Sequence, residues 1–227
     1  MEVVRSMHPD WLSNAYLVYD EPGGTGVFVD SGAPLEPLLQ AVEDHGLTVT
    51  HVLTTHGHED HVAGHDELVR RFSCPVVNGP LETGGLRIEA LPTPGHSADG
   101  VAFVVNGEAV FTGDTLFRSS VGGGYFETVR RSVMDVLMPL PPATRVYPGH
   151  TDETTIGEEW ESNRFVLVWS GAELEGTEPC SVAGEAATLV VWSPDYDGKG
   201  KAWVRFADGR DAIVAGSRVE GRGKTSV

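Results

Sequence analysis

Between residues 15 and 150, short β-branched and aromatic runs alternate with stretches whose apolar residues recur at helical spacing. This alternation predicts a layered α/β domain in which helices cover sheets. The strand-like runs are 16–19, 27–30, 48–54, 75–78, 86–91, 101–105 and 109–112. The last two flank Asn106-Gly107, a dipeptide that takes the positive φ of a tight hairpin turn. Helical spacing covers 35–45, 64–72, 127–138 and 155–167. In the third of these, Val129, Val133, Val136 and Leu137 share a face away from Arg130, Arg131 and Asp135, so it is expected to lie on a sheet until Pro139, Pro141 and Pro142 stop it. Beyond about residue 170 the pattern becomes Gly-interrupted β runs, with 201–206 and 212–214 joined through Asp208-Gly209. The expected organisation is an α/β domain over 1–169 and a small all-β appendage over 170–227, for which an SH3-like barrel is the model.

Charge and composition narrow the partners. The chain of 227 residues carries a formal net charge of -17, which repels phosphate backbones and disfavours nucleic acid as a partner. Residues 198–227 differ from the body: seven Lys/Arg against three Asp/Glu give +4, leaving -21 elsewhere. No apolar run reaches the roughly 18 residues needed to cross a bilayer, so no membrane partner is expected. The first twenty residues lack the basic stretch and apolar core of a secretory signal, and the expectation is a cytoplasmic protein. Cys74 and Cys180 are too few for a disulfide framework or a thiolate cage, which leaves nitrogen and oxygen ligands for any metal.

The residues with metal chemistry are concentrated. Thr55-His56-Gly57-His58-Glu59-Asp60-His61 follows the run 48–54 directly. In extended chain, alternate residues share a side, so His56 and His58 can converge on one ion. A turn into helix would bring Asp60 and His61 to a second ion, with Gly57 permitting the tight backbone. Clustered imidazoles repel one another when protonated and need an external reason to be together. Three further residues stand at the ends of β runs, each directly after a glycine: His96, Asp114 and His150. Strand, glycine turn and ligand-type side chain together place all three on loops at one sheet edge, completing a coordination set. Among the others, Asp30 either supports these loops from behind or caps a turn. His51 is expected to be a packed, hydrogen-bonded strand residue; His8, His45 and His65 have no partner motif.

The segments TTHGHEDHVAGH, LPTPGHSADG, VFTGDTLFRSS and RVYPGHTDETTIGEEWESN, in this order and within residues 12–166, resemble the metallo-β-lactamase fold superfamily. Within it, the chain is most similar to the glyoxalase II (hydroxyacylglutathione hydrolase) group. The resemblance implies an αββα sandwich over 1–169 with two divalent metal ions per chain. His56, His58 and His96 would hold one, Asp60, His61 and His150 the other, and Asp114 would bridge them. Zinc is the default; iron or manganese fits the same donors. The implied reaction is hydrolysis of a thioester, a small hydroxyacyl-thiol, by attack of a metal-bound hydroxide that Asp60, the catalytic residue, orients. Aspartate at 114 separates the chain from true β-lactamases, which resemble this pattern but place Cys or Ser there.

The chain also departs from its models. Where glyoxalase II enzymes carry a helical C-terminal domain, residues 170–227 are expected to form the short β appendage instead, and Ser119–Gly124 stands where many compact relatives have an Arg-Thr-Asp loop. Arg118 and Tyr125 become the candidate substrate contacts. Two other functions compete. One is a persulfide dioxygenase with a single iron on His56, His96 and Asp114. The other is a binding or assembly module, a homo-oligomer for instance, with a structural metal and a functional basic tail. RNA processing, known in other branches of the superfamily, is disfavoured by the acidity.

Overall fold

The structure is a computed structural model, and it describes residues 1–221. Residues 222–227, the end of the basic tail, lie outside the described residues. The first sheet runs in chain order through β1 (Glu2–Met7), β2 (Asn14–Tyr19), β3 (Thr25–Val29), β4 (Thr48–Leu53) and β5 (Val76–Val77); its first two pairings are antiparallel and its last two parallel. Every residue of β2 is buried, because both faces of the sheet are covered. Ala15, Leu17 and Tyr19 share a core with Leu38 of α1 (Glu36–Asp44) and Leu68 of α3 (His65–Phe72), the short α2 (Glu59–Val62) lying between those two helices in the chain. Tyr16 and Val18 face the second sheet.

That sheet comprises β6 (Leu81–Thr83), β7 (Leu86–Pro92), β8 (Val101–Val105) and β9 (Ala109–Gly113). After a separate hairpin of β10 (Leu116–Phe117) and β11 (Ser120–Val121) come β12 (Arg145–Pro148) and β13 (Thr154–Thr155). The order is β13-β12-β9-β8-β7-β6, antiparallel except where β12 lies parallel to β9. The β8–β9 hairpin turns at Asn106 (φ 53°) and Gly107 (φ 69°), as the dipeptide predicts. Phe103, Val105, Phe111 and Tyr147 meet Val27, Val29 and Leu53 between the sheets. On the far side, α4 (Phe126–Arg131), α5 (Ile156–Ser162) and α6 (Arg164–Trp169) cover Ala102, Val104, Val110 and Val146. The result is the expected αββα sandwich.

Two expected helices differ in detail. The one over 127–138 begins as α4 and continues as a π-helical turn, Ser132–Leu137, in which Met138 N–H bonds back to Val133. The wider turn brings Met138 into the core and leaves Val136 only partly buried. The one over 155–167 is two helices. Asn163 adopts extended backbone between them, caps α6 through Phe165 N–H, and donates to the Ser120 carbonyl and the Glu159 carboxylate.

The third sheet is all antiparallel: β14 (Glu178–Val182), β15 (Glu185–Ser193), β16 (Lys201–Phe206), β17 (Asp211–Ala215) and β18 (Val219–Glu220), in the order β17-β16-β15-β14-β18. A register shift at Leu189/Val191 turns both Val190 and Val191 to one face, where with Trp203 and Ile213 they join the core of α4 and α6. The third sheet therefore shares its core with the sandwich. Among the described residues, no helix is long and apolar enough to cross a membrane.

Candidate metal centre

Four strand ends meet at one edge of the sandwich. β4 runs into Thr55–His61, β7 into the loop bearing His96, β9 into Asp114, and β12 through Gly149 into His150. All seven residues singled out in the sequence come together here. Their ligand atoms fall into three overlapping groups, each within 4.8 Å: His56, His58 and His96; His56, His61 and Asp114; and Asp60, His61 and His150. Neither Cys74 nor Cys180, both free and buried, belongs to them.

In the first group, His56 Nε2 lies 3.0 Å from His58 Nδ1, which lies 3.0 Å from His96 Nε2. The outer nitrogens are tied down. His96 Nδ1–H donates to the Gly123 carbonyl at 3.0 Å. Thr55 Oγ1 gives its hydrogen to Asp30 Oδ2 (2.7 Å) and so accepts from His56 Nδ1–H at 3.1 Å. Both Nε2 atoms then turn lone pairs toward His58 Nδ1, and one hydrogen there cannot serve two such contacts. Three converging imidazole nitrogens are what a cation would satisfy.

The second group is richer in charge. His61 Nδ1–H donates to Asp30 Oδ2 at 2.9 Å, and its Nε2 lies 3.3 Å from Asp114 Oδ1 and 3.7 Å from Asp60 Oδ2. His150 Nε2 is 3.5 Å from Asp60 and 3.4 Å from Asp114. His61 Nε2, Asp114 Oδ1 and His150 Nδ1 are buried without a hydrogen bond among the described residues. Burial disfavours charge on His61, but the Asp114 and Asp30 carboxylates outweigh it and raise its pKa to about 11. Burial and the neighbouring His61 push His56 down to about 4. Although burial works against a charge on Asp114 as well, His150 and His61 hold it well below the usual carboxylate range. The carboxylates thus demand positive charge at the centre, and both donor groups suit a divalent ion.

Asp30, for which two roles stood open in the sequence, binds the loop from behind: Oδ1 accepts Thr55 N–H at 2.8 Å, and Oδ2 holds Thr55 Oγ1 and His61. His65 bridges Ser31 Oγ (2.5 Å) and Thr54 Oγ1 (2.7 Å). His8 stacks on Trp11 and His45 on Tyr19. His51 corrects its expectation: it is only partly buried, and its buried Nδ1 makes no hydrogen bond among the described residues. Arg118 is exposed and lines a cavity of about 720 Å³ with Arg5, Arg145 and Tyr147, a cavity that holds none of the seven residues. Tyr125 is 83% exposed ahead of α4. A different groove, about 300 Å³ between Thr54, His56, Val76, Val77, Asn78 and Asp99, opens beside the first group.

Sequence reasoning missed Tyr196. It sits in the connection between β15 and β16, yet its ring stacks on His150 with centroids 4.1 Å apart and planes 8° apart. Asp195-Tyr196-Asp197-Gly198 reads as an ordinary turn, and nothing in it signals a contact with a ligand some 46 positions earlier.

Comparison with known proteins agrees with this fold. The family model described as the metallo-beta-lactamase superfamily matches residues 8–84, which contain the first four ligand candidates. A hydroxyacylglutathione hydrolase of Rhodopseudomonas palustris is 37% identical over 158 residues, spanning 60% of this chain and 61% of that protein. Among solved structures, ETHE1 from Myxococcus xanthus is 30% identical with a TM-score of 0.65, covering 77% of this chain and 92% of that one. TTHA1623, solved in a di-iron-bound form, is 32% identical with a TM-score of 0.60, covering 73% and 100%. With the sandwich, the four strand-end loops and these likenesses in agreement, the chain belongs to the metallo-beta-lactamase superfamily, whose members are mostly metal-dependent hydrolases.

Proposed function

We propose that the protein is a dinuclear metal-dependent hydrolase of small thioesters, of the hydroxyacyl-thiol kind. The observation that carries this reading is the pair of three-ligand groups with Asp114 between them, its Oδ1 toward His61 and its Oδ2 toward His96 and His150. His56, His58 and His96 would hold one ion, and Asp60, His61 and His150 the other, with Asp114 shared. Two divalent ions, when bound, supply a water acidified to near neutral pH and a Lewis acid for the attacked carbonyl oxygen.

The chain's own residues do the rest. Asp60, whose side chain is 29% exposed, is the carboxylate at the open side of the second group and is placed to orient the attacking water and take its proton. Thr55, Asp30 and Gly123 fix the imidazole rings, so that the donor nitrogens face inward before substrate arrives. The groove beside His56, lined by Val76 and Val77 as well as Asn78 and Asp99, offers a small acyl chain apolar contact and its hydroxyl a polar one. The likeness to a hydroxyacylglutathione hydrolase supports the thioester reading, and that to a di-iron protein adds iron to zinc as a metal.

The test is to strip the protein with a chelator, reload it with zinc, iron or manganese, and measure metal per chain alongside thiol release from a panel of hydroxyacyl thioesters. Two ions per chain with metal-restored thiol release is expected. One iron per chain, with oxygen consumed on a persulfide, would overturn the reading in favour of the dioxygenase. Silence across the thioester panel would overturn it too.

A further inference from the structure

Four of the site's histidines turn a nitrogen toward a carboxylate or another imidazole from a buried or partly buried ring, but they are not anchored alike. Nδ1 of His56, His61 and His96 each has a hydrogen-bond partner, in Thr55, Asp30 and Gly123. Nδ1 of His150 is buried and has none among the described residues. Its ring is held by aromatic faces and edges instead. Tyr196 lies flat on it, Phe117 meets it edge-on at 5.8 Å, and Tyr196 and Phe117 meet each other edge-on at 5.4 Å.

The loop carrying Tyr196 is pinned at both ends. Before it, Ser193 Oγ donates to the Ser119 carbonyl, and Ser119 N–H donates to the buried carboxylate of Glu159 at 2.9 Å. Behind it, Lys201 and Asp195 pair at 2.9 Å with side chains 12% and 4% exposed, and Lys201 Nζ stands 5.8 Å over the Tyr196 ring. Gly216 N–H bonds to the Gly200 carbonyl, closing the loop onto the end of β17. The same β17 bridges Gly124 through Ile213, one residue from the carbonyl that holds His96. The third sheet thus touches both halves of the centre.

We propose that Tyr196 is a positioning residue of the metal centre: by stacking on His150 it takes the place of the hydrogen bond that orients the other imidazoles, and so makes the third sheet part of the site. The proposal rests on the dinuclear reading above. The ring, not the hydroxyl, carries the role, and phenylalanine can replace it.

The experiment is stepwise zinc titration of the full-length, metal-stripped chain against a chromophoric chelator, with Tyr196→Phe, Tyr196→Ala, Tyr196→Leu and His150→Ala as variants. His150→Ala identifies which of two binding steps belongs to the second group. Tyr196→Ala is expected to weaken that same step about 10-fold, the lower end of what loss of a residue supporting a ligand costs, and to leave the other within about 2-fold. Tyr196→Leu, apolar but not planar, is expected to match Ala, and it answers the question if Ala fails to fold. Tyr196→Phe is expected to bind like wild type. Two wild-type steps left unmoved by Ala and Leu would overturn this proposal alone, as would Phe behaving like Ala. A wild type that takes up one zinc would overturn the dinuclear reading and this proposal together.

Discussion

The two halves of the centre are built by different physics. The half made of His56, His58 and His96 uses three imidazoles, of which His58 is exposed, and orients two of them by ordinary hydrogen bonds to Thr55 and a backbone carbonyl. The half made of Asp60, His61 and His150 lies deeper, with both histidines at most 2% exposed. It depends on the carboxylates of Asp30 and Asp114 and on an aromatic stack contributed from another sheet. Neutral donors on locally anchored rings tolerate disturbance at a distance. Buried charge does not, because each carboxylate there is stabilised by partners that it also stabilises. The second half should therefore be the more fragile of the two, and it answers to residues far away in the chain.

The largest effect is expected where that distinction disappears. Asp114 is 7% exposed and faces His61, His96 and His150 at 3.3 to 3.4 Å, so it serves both halves. Asp114→Asn keeps the shape and removes the charge. Metal content is expected to fall from two ions per chain to below one, and metal-restored thioester hydrolysis by about 10³-fold, a loss in the range of removing a principal electrostatic group. Elemental analysis with a rate assay checks both. Retention of a full first site in this variant would show that Asp114 serves only one half.

The same contrast explains what was legible in the sequence. His56, His58, Asp60 and His61 lie within six positions after a strand, and His96, Asp114 and His150 each follow a glycine at a strand end, so local pattern reveals them. Strand and helix periodicity likewise exposes a layered α/β domain, and the family resemblance supplies its αββα order. What the pattern misses is set by contacts distant along the chain. Asn163 breaks a helix that periodicity continues, because its amide reaches Ser120 and Glu159. The π turn at Ser132–Leu137 changes which residues face inward without changing the apolar count. Tyr196 looks like a turn residue until the third sheet folds against α4 and α6. Even Asp30, placed near the site by sequence, could not be assigned to His61 until β3 and β4 were seen side by side.

Two glycines separate the halves more sharply. A Cβ on Gly32 would lie 1.6 Å from the Asp60 carbonyl oxygen, whereas one on Gly124 (φ 145°) would lie 2.1 Å from the Gly95 carbonyl oxygen and 2.9 Å from His96 Cα. Both close approaches are to backbone, so the metal loop itself must move. Gly32→Ala is expected to weaken only the second binding group and Gly124→Ala only the first, each by about 10-fold, with about 1–3 kcal/mol lost from folding stability. Stepwise metal titration and urea unfolding of the two variants measure this. If either alanine weakened both steps equally, the halves would be one mechanical unit and the contrast between them would fail.

The smallest effect on the site is expected from Glu159, although it is completely buried behind it. Its carboxylate accepts from Thr154 Oγ1 (2.8 Å), Asn163 Nδ2 (2.8 Å) and Ser119 N–H (2.9 Å), and burial raises its pKa despite those donors. The raised value fixes the sign of the pH dependence. The folded chain holds this proton more tightly than the unfolded one, so the contribution is fully present below the ordinary carboxylate pKa and is lost as pH rises through the folded value. Glu159→Gln cannot titrate and turns an amide NH₂ toward groups that themselves donate, so it is expected to cost about 1 kcal/mol near pH 4. Above that pH only the wild type keeps losing stability from this group, and the gap between the two should narrow toward pH 7. Urea unfolding at both pH values gives the slope, and a gap that widens would contradict the raised pKa. Zinc affinity should change less than about 2-fold in either half, because Glu159 bonds no ligand candidate itself and reaches the metal loops at one remove, through Ser119, Thr154 and Asn163, where a lost tie is diluted by the surrounding packing.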